Sequence, residues 1–170
     1  MAALLDIYNC FPLEELIVHP RVKEQMYKGS PNMEVFDYIY HNSANKLCYN
    51  GDVFEKSDYD KITHDYPNIH SVMLGRGALA NPALFREIKG GTSLTVRELI
   101  SFSEALADSY FEILQSDLFT LYKLKELWFY VMWNYPESKK EGKAIKKSKN
   151  LKEFFSVIQS LPEPKRDLVR

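Results

Sequence analysis

The chain has 170 residues and a formal net charge of −1, so no overall positive field draws it to nucleic acid and any basic surface is local. Apolar residues make up 45% of the sequence, which is enough for a core, and the two cysteines lack metal-ligand spacing. The start of the chain has no signal-peptide pattern and no apolar run reaches membrane-spanning length, so we expect a reduced, cytoplasmic protein without membrane contact.

The first half of the sequence alternates between short apolar strands and amphipathic helices. The predicted strands are residues 16–18, 46–49 and 71–74, and the predicted helices between them are residues 33–41 and 57–65, the second capped by Ser57. Because this spacing matches a βα unit, the pattern predicts a parallel sheet. Three units cannot close a (β/α)8 barrel, which takes eight. We therefore expect an N-terminal half outside this sequence, or self-association, to cover the open sheet edge.

After a glycine boundary near residue 91, the pattern becomes wholly helical. Thr95 and Glu98 have the spacing of a capping box and open a helix to about residue 115. Its predicted apolar stripe is Leu99, Phe102, Leu106, Tyr110 and Leu114. Further helices are predicted at residues 118–134, 139–149 and 151–161. The fold class is thus α/β plus all-α, with a partial (β/α)8 TIM barrel over residues 1–91 and a helical domain over residues 92–170.

Two glycine turns follow neighbouring predicted strands. One is Asn50, Gly51 and Asp52, and the other begins with Gly75 and Arg76. Glycine lets an anion approach its amide closely, a helix N-terminus supplies free N–H groups, and arginine binds phosphate oxygens in pairs. Two neighbouring βα turns of this kind hold phosphate in many barrels. The pair of turns therefore predicts a phosphate site, although each turn alone is also typical of an ordinary loop.

The helical half contains a lysine-rich segment and an aromatic segment. Six lysines lie at positions 139, 140, 143, 146, 147 and 149. They form either a solvated face or a surface for RNA phosphates, which Lys123 and Lys125 would extend. The aromatic residues are Trp128, Phe129, Tyr130, Trp133 and Tyr135. Base stacking is one interpretation of them, but we expect most of them to be core because they fill both faces of one helix.

Several short segments, taken in their order along the chain, carry a family resemblance. They are residues 15–21 (ELIVHPR), 24–29 (EQMYKG), 50–52 (NGD), 73–82 (MLGRGALANP) and 85–87 (FRE). In order and spacing they resemble the tRNA-dihydrouridine synthases, over about residues 13–90 and more loosely beyond. The resemblance implies an enzyme that uses FMN and NAD(P)H to reduce a uridine of tRNA, with a helical domain that helps to bind the tRNA.

The same resemblance implies roles for particular residues. His19 would lie beside FMN, Asn50, Gly51 and Asp52 would form one side of its pocket, and Gly75 and Arg76 would bind its phosphate. Gly77 and Arg21 are weaker candidates from the same motifs. Apart from the resemblance, the position of Tyr27 and Lys28 in the loop after the first predicted strand makes them candidates for substrate contact. The family's acid cysteine and catalytic lysine have no match here, so no catalytic residue is assigned and we expect the chain alone to be inactive. No metal site is predicted, since no two histidines have ligand spacing.

Two other functions fit the same sequence. The chain could be a non-catalytic remnant that folds or oligomerises without activity. It could also be a barrel enzyme that uses the two glycine turns to bind a sugar phosphate. Flavin binding separates these alternatives from a dihydrouridine synthase, because only the synthase requires flavin.

Overall fold

A computed structural model of the chain describes residues 2–26 and 28–165. The chain folds into two compact units, Met1–Gly75 and Arg76–Arg170. Across the two described stretches, no helix combines the length and the apolar character that crossing a membrane requires. The two units are described separately below.

The first unit is built around a parallel sheet of three strands in the order β1-β2-β3. The strands are β1 (Leu16–Val18), β2 (Leu47–Asn50) and β3 (Ser71–Met73), and the helices are α1 (Ala2–Asn9), α2 (Met33–Asn42) and α3 (Lys56–Asp65), with a short 3-10 helix at Lys23–Gln25. The predicted parallel sheet and its mixed α/β character are thereby confirmed. In the register, Val18 lies opposite Tyr49, and Asn50 lies opposite Met73.

Aromatic rings fill the core of the first unit. The ring of Phe36 meets Tyr49 at a centroid distance of 4.8 Å and Tyr66 at 4.9 Å, both edge to face. This geometry is favourable for aromatic pairs and adds to the burial of their apolar area. Because side chains alternate along a strand, Ile17 lies on the opposite face from Val18, and 48% of it is exposed.

The start of α3 differs from the prediction. The helix begins at Lys56, and its N-cap residue is Glu55. The Glu55 side chain accepts a hydrogen bond from the backbone N–H of Asp58, and the Asp58 side chain accepts one from the backbone N–H of Glu55. These two bonds make a reciprocal capping box. The prediction of Ser57 as the cap is therefore wrong, because two carboxylates one turn apart satisfy the free N–H groups instead.

The second unit is helical. Its helices are α4 (Arg76–Ala80), α5 (Leu84–Ile88), α6 (Val96–Leu114), α7 (Asp117–Val131), α8 (Lys139–Lys147) and α9 (Leu151–Ile158), with a 3-10 turn at Met132–Asn134. The predicted capping box of Thr95 and Glu98 is confirmed at the start of α6. The side chain of Asn150 caps α9 by accepting a hydrogen bond from the Glu153 N–H.

The buried face of α6 is narrower than its predicted stripe. Its buried residues are Leu99, Ser103 and Ala107, which follow one another at four-residue steps, whereas 40% of Phe102 is exposed. Ser103 is buried because its Oγ accepts a hydrogen bond from the indole Nε1 of Trp128 at 3.1 Å. Ser103 thus occupies a buried position, whereas the apolar pattern predicted that its neighbour Phe102 would be buried.

The compact second unit includes the helices that directly follow β3. The side-chain amide of Asn134 donates to the carbonyl oxygen of Ala80 at 2.8 Å, which fixes the end of α4 to the turn after α7. The boundary between the compact units therefore falls between Gly75 and Arg76, before the predicted boundary near residue 91. A functional division at residue 91 stays a prediction.

Candidate functional site

The strand ends of the first unit gather the predicted site residues at one edge of the sheet. His19 directly follows β1, Asn50 is the last residue of β2, and Gly75 lies two residues beyond β3. Since the strands are parallel and in register, these three positions lie at the carboxyl ends. Ligands of open α/β sheets bind at that edge.

His19 is tied to the neighbouring strand. Its Nδ1 lies 2.6 Å from the carbonyl oxygen of Asn50. Because a carbonyl oxygen can only accept, Nδ1 carries the hydrogen and donates. The ring is exposed, and this bond leaves Nε2 as the ring nitrogen that can contact a ligand.

Arg21 and Asp52 join the loop after β1 to the turn after β2. The Nη2 of Arg21 pairs with Oδ2 of Asp52, and the arginine side chain is only 2% exposed. The same guanidinium donates to the carbonyl oxygens of Lys28 at 3.1 Å and Gly29 at 2.9 Å. Arg21 is therefore held inside the protein, where it fixes two loops beside the strand ends.

Sequence reasoning placed Asp52 in the site but missed its pairing with Arg21. The two residues are far apart in the sequence, so no local spacing reveals the pair. The signal that could have found it is topological: neighbouring parallel strands bring their following residues together, and opposite charges there will pair. The Nε atom of Arg21 is also buried, and it has no hydrogen-bond partner among the described residues.

The two predicted glycine turns differ in their surroundings. A Cβ at position 51 would lie 2.0 Å from the hydroxyl oxygen of Tyr49, so the packing of that tyrosine already requires Gly51. A Cβ at position 75 would meet no atom within 4 Å, so the space on that side of Gly75 is open. Burial, together with the negative charge of Asp52, raises the pKa of the Tyr49 phenol to about 12, which keeps it neutral.

The structure brings together His19, Asn50, Gly51 and Asp52, which belong to one compact unit. Arg76 is the first residue of α4 and begins the second unit. Gly77 is buried within α4, and Tyr27 lies outside the described residues. Within residues 2–26 and 28–165, no group of three or more His, Cys, Asp or Glu side chains could hold a metal ion.

A second candidate site is a groove between α7 and α8, with a cavity volume of about 400 Å³. Of the five aromatic residues, Trp128 and Tyr135 are buried, Tyr130 and Trp133 are partly buried, and 53% of Phe129 is exposed, so the expectation that most of them are core is met by two. Lys125 does not extend a free basic surface, because its ammonium donates to the carbonyl oxygens of Lys146 and Ser148. Lys123 pairs with Glu126 at 2.9 Å.

A family model described as dihydrouridine synthase (Dus) matches residues 12–168. The chain is 28% identical over 146 residues to tRNA-dihydrouridine(20a/20b) synthase [NAD(P)+] of Saccharomyces cerevisiae, covering 84% of this chain and 36% of the yeast protein. It is 32% identical over 77 residues to tRNA-dihydrouridine synthase B of Shewanella oneidensis, which covers 45% of this chain and 24% of that protein.

A plant protein gives a third comparison. The tRNA-dihydrouridine(47) synthase [NAD(P)(+)]-like protein of Arabidopsis thaliana is 38% identical over 77 residues, covering 42% of this chain and 11% of the plant protein. In these three comparisons the chain therefore spans between 11% and 36% of the length of each relative.

Proposed function

This chain belongs to the dihydrouridine synthase family, and we propose that it forms the C-terminal part of an FMN-dependent enzyme that reduces uridine to dihydrouridine in tRNA. The names of the yeast and plant relatives include NAD(P), which supports a nicotinamide nucleotide as the source of electrons. The substrate, the cofactors and a cytoplasmic location of the whole enzyme are parts of this proposal.

In this proposal the three parallel strands are the last three βα units of a (β/α)8 barrel. The match of the family model across residues 12–168 supports this placement, since it runs through both the sheet and the helices. Residues 1–91 would form the end of the barrel, and residues 92–170 would bind tRNA. The remaining strands would come from sequence outside these residues and would cover the open edge of β1.

The observation that carries the proposal is the shared carboxyl edge of β1, β2 and β3. The edge fits a flavin phosphate in its chemistry: it offers the imidazole of His19, the polar end of Asn50 and the open space beside Gly75. Arg76 follows directly along the chain and supplies a guanidinium suited to phosphate. We propose His19, Asn50, Gly51, Asp52, Gly75 and Arg76 as the cofactor-binding residues.

Each of these residues would act through binding and orientation. FMN, when bound, supplies the hydride for reduction of the uracil ring. His19, fixed by its Nδ1 bond to Asn50, would direct Nε2 at the cofactor. Asp52 would act by holding Arg21 and, through it, the loop after β1. The target uridine must leave its stack to reach such an edge. Residues outside this chain would supply the proton, so we expect no turnover by these 170 residues alone.

The test is calorimetric titration of the full chain with FMN, riboflavin and ribose 5-phosphate. Riboflavin lacks the phosphate, so we expect FMN to bind at least about tenfold more tightly, in keeping with charge-assisted hydrogen bonds. Arg76→Ala should reduce FMN affinity to that of riboflavin, whereas Arg97→Ala, at an exposed position of α6, should not change it.

Three outcomes contradict the proposal. Equal binding of FMN and riboflavin removes the phosphate site. Tighter binding of ribose 5-phosphate than of FMN favours a sugar-phosphate barrel. Absence of binding by all three ligands favours a non-catalytic remnant.

A further inference from the structure

The helical unit has a second groove, between α6 and α9, that the proposed cofactor site does not use. It lies beside the start of α7 and has a cavity volume of about 300 Å³. Its large apolar side chains are Phe111 of α6 and Leu151 and Phe155 of α9. The ring of Phe155 packs edge to face on the buried ring of Phe154 at a centroid distance of 5.3 Å, so the core supports this apolar lining. We call this site the α6/α9 groove.

Three carboxylates line the α6/α9 groove together with these apolar side chains. They belong to Glu104 and Asp108 of α6 and to Asp117 of α7. Within residues 2–26 and 28–165, none of the three forms an ion pair with another side chain. The sequence of residues 99–122 contains no Lys, Arg or His, although the chain as a whole is nearly neutral. The groove therefore has a local negative charge, which attracts a basic ligand and repels the phosphates of nucleic acid.

The spacing of the lining residues fits a helix as the ligand. Glu104, Asp108 and Phe111 follow one another at steps of four and three residues, so they lie along one side of α6 over about 10 Å. Leu151 and Phe155 lie one turn apart on α9. An amphipathic helix presents apolar side chains at the same steps when it binds in an apolar groove. Since 43% of Phe111 is exposed, its ring is accessible to such a helix.

We propose that the α6/α9 groove binds a basic, amphipathic helix of a partner protein. The apolar side of that helix packs on the three apolar side chains of the groove, and its lysine or arginine side chains pair with the three carboxylates. The inference goes beyond the proposed enzyme and depends on neither flavin nor tRNA. It can therefore fail while the proposed function stands, and the reverse.

Two other basic ligands complement the groove less well. Among the described residues of a second copy of this chain, the lysine-rich helix is α8, and its Ile145 is only 2% exposed because it packs in the core of its own unit. This helix would bring lysines to the groove but no large apolar side chain. A polyamine likewise has no apolar face to cover Phe111. Only a helix that is both basic and apolar matches both parts of the lining.

The first experiment measures, by fluorescence anisotropy, the binding of a fluorescein-labelled peptide of leucine and lysine to the full chain. The peptide has a helical apolar pattern over about 14 residues, or four turns, and a scrambled peptide of the same composition has no apolar face. The patterned peptide should bind at least about tenfold more tightly than the scrambled one. Phe111→Ala should weaken its binding roughly tenfold, as is typical of an aromatic residue central to an interface.

The matched control for this variant is Phe102→Ala. Phe102 is on the same helix and 40% exposed, almost as much as Phe111, but it does not line the groove. The affinity of the control for the patterned peptide should stay within about twofold of the unsubstituted chain. Circular dichroism checks that both variants fold.

The second experiment tests the carboxylates by reversing charges. Asp108→Lys should weaken binding of the patterned peptide at least about tenfold, because like charges then meet. Glu112→Lys changes the net charge by the same amount at an exposed position of α6 outside the groove, and it should weaken binding less than about threefold. A peptide with glutamate in place of each lysine should bind the double variant Glu104→Lys, Asp108→Lys more tightly than it binds the unsubstituted chain. Misfolding of the variant would not produce that gain.

Four results overturn the inference. Equal binding of the patterned and scrambled peptides, or equal effects of Asp108→Lys and Glu112→Lys, shows attraction by charge alone. An unchanged affinity in Phe111→Ala removes the apolar lining from the binding site. Spermine that displaces the peptide and binds Phe111→Ala as tightly as the unsubstituted chain assigns the groove to a small polycation. Self-association in analytical ultracentrifugation that Phe111→Ala abolishes assigns the groove to a second copy of the chain.

Discussion

Arg21 and Asp52 form an ion pair that joins the loop after β1 to the turn after β2. The arginine side chain is 2% exposed and the aspartate side chain 20% exposed, so water screens the pair weakly. The two carbonyl oxygens that Arg21 also binds belong to the chain between β1 and α2. Both loops at the candidate cofactor edge therefore depend on one guanidinium.

Asp52→Asn should lower the free energy of unfolding by about 3 kcal/mol, because it leaves the buried guanidinium without its counter-charge. Urea denaturation of the full chain measures this loss. The control is Asp60→Asn, which breaks the exposed pair of Lys56 and Asp60 and should cost less than about 0.5 kcal/mol. Similar losses for the two variants would contradict the buried role of Arg21.

The two site glycines should respond differently to an added methyl group. Gly51→Ala forces its Cβ against the Tyr49 hydroxyl and should destabilise the protein by about 1–3 kcal/mol. Gly75→Ala meets open space and should change the stability by less than about 0.5 kcal/mol. Thermal unfolding of the two variants provides the comparison. If Gly75→Ala loses FMN affinity while it keeps its stability, the open space beside Gly75 belongs to the cofactor. An equal loss of stability in the two variants would contradict the difference in packing between Gly51 and Gly75.

Local signals in the sequence predicted much of the fold. The spacing of apolar segments predicted the parallel sheet, and Thr95 with Glu98 predicted the start of α6, because each feature depends on residues close together in the chain. The cap of α3 was predicted wrongly because its N-cap is Glu55, and Glu is not among the residues that commonly cap helices, whereas Ser is. The buried face of α6 could not be predicted from periodicity, because Ser103 is buried by its bond to Trp128 on another helix.

The candidate site was predictable as a set of positions but not as a set of bonds. The glycine turns after the strands indicated which residues lie at the carboxyl edge of the sheet. The bond from His19 to Asn50 and the ion pair of Arg21 each join residues 31 positions apart, and only the strand register brings them together. The role of Gly51 beside Tyr49 likewise depends on where a neighbouring ring packs, which spacing does not specify.

Ser103→Ala should destabilise the second unit by about 1–3 kcal/mol, since it leaves the buried indole N–H of Trp128 without an acceptor. Chemical denaturation followed by tryptophan fluorescence measures the change. Ser109→Ala is the matched control. Ser109 is on the same helix and, like Ser103, its hydroxyl donates to the carbonyl oxygen four residues earlier, but Ser109 is exposed. The control should cost less than about 0.5 kcal/mol. Equal costs would show that the bond to Trp128 contributes nothing.

Glu98 should make the stability of the helical unit depend on acid pH. Hydrogen bonds from Arg86, and then from the backbone of Thr95, lower the pKa of its carboxyl to about 2. Between that value and the unfolded pKa near 4.5, the unfolded chain binds more protons, so stability rises with pH. The contribution is complete above about pH 5 and is lost as the pH falls towards 2.

Glu98→Gln isolates this contribution, because glutamine keeps the capping geometry but carries no charge. The difference in denaturation midpoint between the unsubstituted chain and the variant should be largest at pH 6 and should shrink steadily between pH 4.5 and 2. Comparing the two chains at each pH removes the effects of the other carboxylates. Since the pair of Arg86 and Glu98 is exposed, added salt should also reduce the difference at pH 6. A difference that stays constant with pH would mean that the bonds of Arg86 and Thr95 do not favour the ionised form of Glu98.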